Sequence, residues 1–285
     1  MDVDVINQKF DYRDVGGIHV YPLFTHEEDE MLGSHWHEEL ELVYSIRGNN
    51  NHYINGEHYV VSPGQLVVVN SDFVHSIVPQ EEIYQDSALK AVVIIISKAF
   101  LDVNFAQYER IYFTNESRNT TDEMDRLIME ILLCADGTTD EPGIMLHRNA
   151  MIMELLYHLC RTRIVRRESV DRTQTQQSVE KIKEIVTYIE THYAEHLSRE
   201  QVAAEFYLSP NYFSTYFKKY VGRSFIQYLT DFRVEKARNL LLNTDRSVGQ
   251  IAEECGFTDD RSLIVAFRQK FHNTPLQYRK LRTKS

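Results

Sequence analysis

The stretch Val202-Ala203-Ala204-Glu205-Phe206-Tyr207-Leu208-Ser209 decides how this chain is read, because it recurs as Ile251-Ala252-Glu253-Glu254-Cys255-Gly256-Phe257-Thr258. Each copy has a branched apolar residue, a small Ala, and an apolar residue three positions beyond that Ala. A turn residue and a large apolar residue follow, then a hydroxyl side chain able to cap a new helix. Further along, Phe217 and Phe267 supply a core aromatic to each copy. This is how a helix-turn-helix is written: the Ala permits a close helix crossing and the large apolar residues fix its angle. Two copies joined by one long helical pattern, Ser224–Leu242, predict a reader of two successive major-groove segments of DNA.

Working outward, Ile182, Ile185, Val186 and Ile189 fall on one helical face ahead of the first copy. Ser198-Arg199-Glu200-Gln201 has the form of a capping box, Ser247 caps the next helix, and Thr274-Pro275 opens the last with Pro in its first turn. In the first recognition helix, about 210–220, Phe213 and Phe217 must face the core. That leaves Asn211, Ser214, Thr215 and Lys218 outward, where Asn suits adenine and Ser or Thr suit a base edge or a thymine methyl. In the second, about 259–271, Leu263 and Phe267 take the core. Asp260, Arg261 and Ser262 then sit at the tip, with Ile264, Val265 and Arg268 alongside. Arg261 is the best candidate for a guanine contact, with phosphate as the alternative. Of Asp259 and Asp260, one is expected as an N-cap. Ile264-Val265 suit thymine methyls or a protein surface.

Composition agrees with this division. The chain of 285 residues carries a net charge of -11, yet residues 180–285 hold 17 Lys+Arg against 13 Asp+Glu, and residues 1–179 hold 14 against 29. A mildly basic C-terminal part beside a strongly acidic N-terminal part fits one domain that meets phosphate and one that does not. The longest apolar run, Ala91–Ile96, is strand-sized, so no membrane span is expected. Met1-Asp2-Val3-Asp4 lacks the shape of a signal peptide. Cys134, Cys160 and Cys255 have no motif spacing and read as reduced core thiols of a cytoplasmic protein.

Residues 5–97 read as short strands. Ile18–Phe24 is one. Leu40, Leu42, Tyr44 and Ile46 alternate with Glu39, Glu41, Val43 and Ser45, the period of a half-buried strand. Asn49-Asn50-Asn51 and Asn55-Gly56 are turn signals, the second inside a hairpin between Tyr53-Ile54 and His58–Val61. Leu66–Val69, Val74–Val78 and Leu89–Ile96 complete a small antiparallel barrel. Residues 99–165 change to helical period, with Met124, Leu127, Ile128, Ile131 and Leu132, then Met151, Ile152, Leu155, Leu156 and Leu159. The apolar face of Met145–Ile164 points to a homodimer. Arg161–Arg167 gathers basic residues at that helix's C-terminal end, and the polar run Arg172–Ser178 reads as a linker.

The C-terminal residues resemble the DNA-binding domain of AraC/XylS-type transcription regulators over about 180–282. The matching signature is Gly256-Phe257, Phe267-Arg268-Gln269-Lys270-Phe271 and Thr274-Pro275-Leu276-Gln277-Tyr278-Arg279. Two departures stand out. Tyr207 occupies a turn position where the family has Gly, implying a positive φ or a shifted turn, and Ile264-Val265 replace polar or basic residues.

The N-terminal part is similar to a cupin. His35-Trp36-His37-Glu38-Glu39-Leu40-Glu41 followed by Gly48 matches the first cupin motif. In the second, Gly64 and His75 keep their spacing, while Asn70, Asp72 and Pro79 replace the usual Pro, Gly and Asn. His35, His37 and Glu41 share odd parity, so an extended strand points them to one face, as cupin metal ligands do. His75 would complete an N,N,O,N set for a divalent metal. The broken second motif favours hydrogen bonding in an effector pocket instead, with no metal and no cofactor expected. Tyr21 and Trp36 join His35, His37, Glu41 and His75 as effector contacts, with Tyr44, His52 and Tyr53 as further candidates.

Together the resemblances imply an α+β chain of two domains: an N-terminal antiparallel β-barrel with a helical dimerisation segment, and a C-terminal all-α double helix-turn-helix domain. The expected boundaries are 1–98 for the effector-binding barrel, 99–171 for the dimerisation region, 172–178 for the linker and 179–285 for the DNA-binding domain. The implied function is a non-enzymatic, ligand-responsive regulator acting on double-stranded promoter DNA as a homodimer. Its effector would be a carbohydrate, and RNA polymerase would be a further partner. Two alternatives stand beside it: a metal-dependent cupin enzyme with a DNA-binding appendage, and a constitutive DNA-binding dimer with a ligand-free barrel.

Overall fold

The computed structural model describes residues 17–24, 34–79, 88–135, 142–166 and 172–282. The acidic run Met1–Asp4 and Arg167 lie outside them. Two compact units divide between Gln177 and Ser178.

In the first unit, strands β1 (Ile18–Phe24), β2 (Leu40–Ser45), β5 (Gln65–Val69) and β7 (Leu89–Ile96) form one antiparallel sheet in the order β1-β7-β2-β5. Strands β3 (Asn50–Ile54), β4 (Glu57–Val61) and β6 (His75–Pro79) form a second in the order β4-β3-β6. The β3–β4 hairpin turns at Asn55-Gly56 with φ of 52° and 85°, the two-residue turn that matches strand twist. Asn50 and Asn51, expected in a turn, instead begin β3, and Asn50 pairs with both Val61 and Pro79. Gly48, at φ 72°, supplies the positive-φ position just before the strand.

The alternation in β2 predicts a half-buried strand, yet every residue from Leu40 to Ser45 is buried. Both faces of its sheet are covered. Leu40, Leu42 and Tyr44 share a core with Leu66, Val68, Val92, Ile94 and Ile96 and with helices from later in the chain. On the opposite face, Val67 and Val69 pack with Ile54 and Val61 of the second sheet. Strand pairing puts His19, Ile95, Glu41 and Val69 in one row across the four-stranded sheet, and Tyr21, Val93, Val43 and Val67 two residues along.

The helices are α1 (Lys98–Asn104), α2 (Asp122–Ala135) and α3 (Ile144–Thr162), with a short pair of strands, β8 (Ile111–Phe113) and β9 (Ile164–Arg166). Met124, Leu127, Ile128 and Ile131 of α2 and Met151, Ile152, Leu155, Leu156 and Leu159 of α3 belong to the same core as the sheet. The helical segment is therefore packed into the β unit rather than standing apart from it. The α3 face taken as evidence for a partner is mostly spent on the chain's own core. What remains outside is a narrow stripe on α3, Leu146 (76% exposed), Met153 and Tyr157 (58%), with Met129 and Leu133 on α2.

The second unit is all helical: α4 (Arg172–Thr191) from Ser178 onward, α5 (Arg199–Glu205), α6 (Pro210–Val221), α7 (Phe225–Asn243), α8 (Val248–Glu254), α9 (Asp260–Phe271) and α10 (Pro275–Arg282). The residues expected as a linker, 172–178, have the backbone of the first part of α4, and the division between the units falls among them. The run is polar but holds no Gly or Pro, so nothing in it stops a helix from propagating. Buried Ile182, Ile185, Val186 and Ile189 anchor α4.

The repeat extends well beyond the two helix-turn-helix motifs. Val202 corresponds to Ile251 at an offset of 49 residues, but Phe217 corresponds to Phe267 and Tyr228 to Tyr278 at 50. The extra residue enters at the helix start. Ser209 caps α6, whereas in the second copy Asp259 and not Thr258 caps α9, with its side chain accepting from the Ser262 amide at 2.7 Å. After that the halves keep step. Gly222 (φ 80°) and His272 (φ 55°) end α6 and α9. Ser224 with Gln227 opens α7 by a capping box, and Thr274 with Gln277 makes the corresponding contacts at α10. Phe217 and Tyr228 meet edge to face at 5.6 Å, Phe267 and Tyr278 at 5.4 Å, a geometry that adds about 0.5–1.5 kcal/mol per pair beyond burial.

Each half also carries an arginine clamp. Arg233 donates to the Tyr193 and Glu195 carbonyls at 2.7 Å each, beyond the end of α4. Arg279 donates to Leu241, Thr244 and Arg246 carbonyls at 3.0, 3.3 and 2.8 Å, at the end of α7. In both, a cation satisfies carbonyls at the C-terminal end of the helix leading into a helix-turn-helix.

Candidate DNA-reading helices and effector site

On α6, burial of Phe213, Tyr216, Phe217 and Tyr220 leaves Asn211, Thr215 and Lys218 exposed and Ser214 half-buried. The Ser214 hydroxyl donates to the Pro210 carbonyl at 2.9 Å and the Thr215 hydroxyl to the Asn211 carbonyl at 3.2 Å. Both hydroxyls are thus turned back onto the helix. Tyr212 and Lys219 are also exposed on this helix and were not among the expected contacts. Their signal lay in helical spacing alone, since neither position is needed by the core.

On α9, Leu263, Phe267 and Phe271 are buried. Asp260, Arg261 and Arg268 are exposed, Ile264 is half-buried, and Val265 is 53% exposed. Ser262 is half-buried, and its hydroxyl donates to Asp259 at 2.6 Å and lies 2.9 Å from the Thr258 hydroxyl, so it belongs to the cap. Lys270 is tied to Glu235 of α7 at 2.6 Å, and Arg238 holds the same carboxylate at 3.0 Å. The 50-residue offset aligns Asn211 with Arg261, Thr215 with Val265 and Lys218 with Arg268.

The turn departure resolves as a positive φ: Tyr207 sits at 55° and is 96% exposed. Gly256 holds the matching position at φ 75°, where an added Cβ would lie 2.6 Å from the Ala194 carbonyl oxygen. Close backbone approach requires glycine in the second copy, while open space tolerates Tyr in the first.

In the β unit, His35, His37, Glu41 and His75 come together. All four are buried, and one ligand atom from each lies within 4.8 Å of the others. The His37 Nε2–H donates to Glu41 at 3.0 Å, and His75 Nε2 lies 3.1 Å from the same oxygen. His35 and His75 exchange backbone hydrogen bonds of 3.0 and 2.9 Å, which pins the first motif against β6. Burial alone would raise the Glu41 carboxyl, but the charge of His75 and hydrogen bonds from His37 and His75 outweigh it and hold Glu41 well below the usual range. His37 is opposed by its own burial, yet its hydrogen bond and charge contact with Glu41 raise it.

These residues fit a divalent cation by their own chemistry. Three imidazoles and one carboxylate converge, and the His75 Nδ1–H donates to the Phe73 carbonyl at 3.0 Å. That bond orients the ring and leaves Nε2 toward Glu41, the arrangement by which a backbone carbonyl fixes a metal-ligating imidazole. Glu123, Glu154 and His158 form a second gathering among the described residues, more exposed and spanning α2 and α3. The broken second motif has a structural cause. Asn70 receives the Phe113 amide at 2.7 Å and donates to its carbonyl at 2.8 Å, so it ties β5 to β8.

Among the remaining candidates, Tyr21 is half-buried and packs with Val43 and Val93, and Trp36 is half-buried. Tyr44 faces the helices in the sheet–helix core, and its phenol is pushed up to about 12 by burial and by Asp125. Tyr53 stacks on His58 with centroids 4.6 Å apart. His52 is fully buried and pushed down to about 4 by desolvation, against the pull of Glu41. The three cysteines are free thiols, and no described helix is long and apolar enough to cross a membrane.

A β unit with a buried polar cluster, followed by a duplicated helix-turn-helix unit, defines a two-part transcription regulator with a ligand-binding domain. Residues 17–92 match the AraC-like ligand binding domain and residues 202–281 a helix-turn-helix domain. The chain belongs to the AraC-type family of transcription regulators. It is 27% identical over 248 residues to the HTH-type transcriptional activator RhaS of Salmonella schwarzengrund, covering 86% of each chain. It is also similar to the C-terminal domain of the response regulator yesN from Fusobacterium nucleatum, at 37% identity over 34% of this chain and 95% of that one, TM-score 0.34. The DNA-binding domain of AdpA, solved with a target DNA, is 32% identical over 35% of this chain and 91% of that one, TM-score 0.35.

Proposed function

We propose that this regulator is an activator that reads promoter DNA with both α6 and α9 and answers to a small molecule bound beside His35, His37, Glu41 and His75. The observation that supports the DNA half is the alignment of exposed Asn211, Thr215 and Lys218 with exposed Arg261, Val265 and Arg268. Ser214, Ser262 and Asp260 are the weaker contacts of the expected set, the first two because their hydroxyls are engaged. The similarity to an activator at 86% coverage supports the sign of regulation.

For the sensing half, a buried cluster of hydrogen-bonding groups with an ionised carboxylate suits an oxygen-rich effector such as a sugar. The same four side chains would hold a divalent metal, which would supply a positive centre for an effector's oxygens. Tyr21 and Trp36 are the flanking contacts. A homodimer through the residual stripe Leu146, Met153 and Tyr157 and recruitment of RNA polymerase complete the reading.

A thermal-shift screen of the full chain against mono- and oligosaccharides, with added Mn, Fe or Zn and with EDTA, tests it. One sugar should raise the melting temperature, since a ligand bound only to the native state stabilises it, and Glu41→Gln should abolish the rise. Loss of the rise in EDTA would assign the four side chains to a metal. No stabilisation under any condition would overturn the sensing role and leave a constitutive DNA-binding protein.

A further inference from the structure

We propose that Thr215 and Val265 are twin thymine-methyl readers, one in each helix-turn-helix, and that together they fix two thymines about one helical turn apart in the operator. The inference rests on the DNA-reading function proposed above and assigns its base chemistry. Val265 is 53% exposed in the middle of α9, while the residues that hold α9 in place, Leu263, Phe267 and Phe271, are buried. The adjacent Ile264 is half-buried, so of this apolar pair it is Val265 that reaches the surface. An exposed branched side chain here does nothing for the fold, and it stands between two exposed cationic side chains, Arg261 and Arg268.

Thr215 occupies the same place in the first half, 50 residues earlier and between Asn211 and Lys218. Its hydroxyl is spent on the Asn211 carbonyl at 3.2 Å. With its hydroxyl proton so engaged, Thr215 presents its γ-methyl and a hydroxyl oxygen that can only accept, and in shape it is a near-isostere of valine. Both helices therefore present the same shape at the centre of the exposed face, a branched side chain carrying a methyl group, with no donor at either position free to compete for the base edge. In the major groove the base-pair feature that rewards such a contact is the thymine C5-methyl. The helix joining the two halves, α7, has 19 residues. That is about 28 Å of rise, the scale of one DNA turn of about 34 Å between successive major grooves.

The test starts by selecting binding sites for the full chain from random duplex DNA. Each thymine of the selected site is then replaced singly by uracil, which keeps the base pair and removes only the methyl. Two thymines, 10 or 11 base pairs apart, should each weaken binding about fourfold on replacement, the worth of one methyl group taken out of water. Val265→Ala should erase the uracil sensitivity at one of them and Thr215→Ser at the other, while Thr215→Val should preserve it. Unchanged melting temperatures would show that all three variants fold. A selected site that tolerates uracil at every position overturns the methyl readers while leaving DNA reading intact. Failure to select any site overturns the DNA-reading function and this inference with it.

Discussion

Substituting the turn residue of each helix-turn-helix copy, Gly256→Ala and Tyr207→Gly, should move stability in opposite directions. At Gly256, an alanine Cβ would stand 2.6 Å from the Ala194 oxygen and 2.8 Å from the Ala194 carbon and the Tyr193 oxygen. These are backbone atoms in a loop that Arg233 clamps on either side of Ala194, so they cannot yield cheaply. A left-handed conformation costs a non-glycine residue about 1–2 kcal/mol, and overpacking adds about 1–3 kcal/mol. Against this, alanine narrows the unfolded ensemble by about 0.4–1 kcal/mol. Gly256→Ala should therefore destabilise the helical unit by about 2–4 kcal/mol. Tyr207 has the same left-handed backbone but is 96% exposed. Tyr207→Gly relieves the conformational cost and loses almost no packing. After the entropy of the more flexible chain is set against it, a gain of about 0.5–1 kcal/mol remains. Urea melts of the full chain, followed by far-ultraviolet circular dichroism, measure both. A loss above about 1 kcal/mol in Tyr207→Gly, or a neutral Gly256→Ala, would refute the reasoning.

Further outcomes can be checked with single variants. Arg261→Ala should cost about 1–3 kcal/mol of operator binding and relax specificity at one base pair; a uniform loss across all sequences, read by titration against a mutated-site panel, would leave only a phosphate contact. Leu146→Glu combined with Tyr157→Glu should convert a species of twice the 33.5 kDa chain mass into monomer in sedimentation equilibrium, and an unchanged mass would remove α3 from the interface. His52 is held neutral by burial, with its value lowered to about 4 from 6.5. The unfolded chain therefore binds the extra proton between those values, and the stability from neutral His52 is full above pH 6.5 and lost as pH falls toward 4. His52→Gln should remove up to about 1.4 kcal/mol per pH unit of that slope, and parallel urea-melt profiles for the two proteins would contradict it.

Much of the DNA-binding unit was legible because its constraints are local. Cap residues, the small Ala at a crossing and the spacing of Phe217 and Phe267 act within one or two turns of helix, so they show in order along the chain. The register of the repeat was less visible, since the added residue before α9 shifts the offset from 49 to 50 and only the cap at Asp259 reveals where. The buried cluster was legible in part. The parity of His35, His37 and Glu41 put three donors on one face, but the approach of His75 depends on pairing between His35 and the start of β6. Pairing between distant segments leaves no periodic trace. Three expectations meet the same limit. β2 is buried from end to end, the apolar side of α3 lies mostly in the core shared with α2 and the sheet, and Tyr44 faces that same core. An alternating or helical pattern shows that a face is apolar, and it cannot say what will cover it.

The most direct test of the central claim is dimethyl sulfate footprinting, which reads guanine N7 in the major groove, of the full chain on its selected operator, with and without the small molecule that raises its melting temperature. Protection in two successive major grooves per chain, with occupancy changed by the ligand in the wild type and unchanged by it in Glu41→Gln, is the predicted result. Protection of a single groove, or a footprint indifferent to a ligand that demonstrably binds, would contradict it.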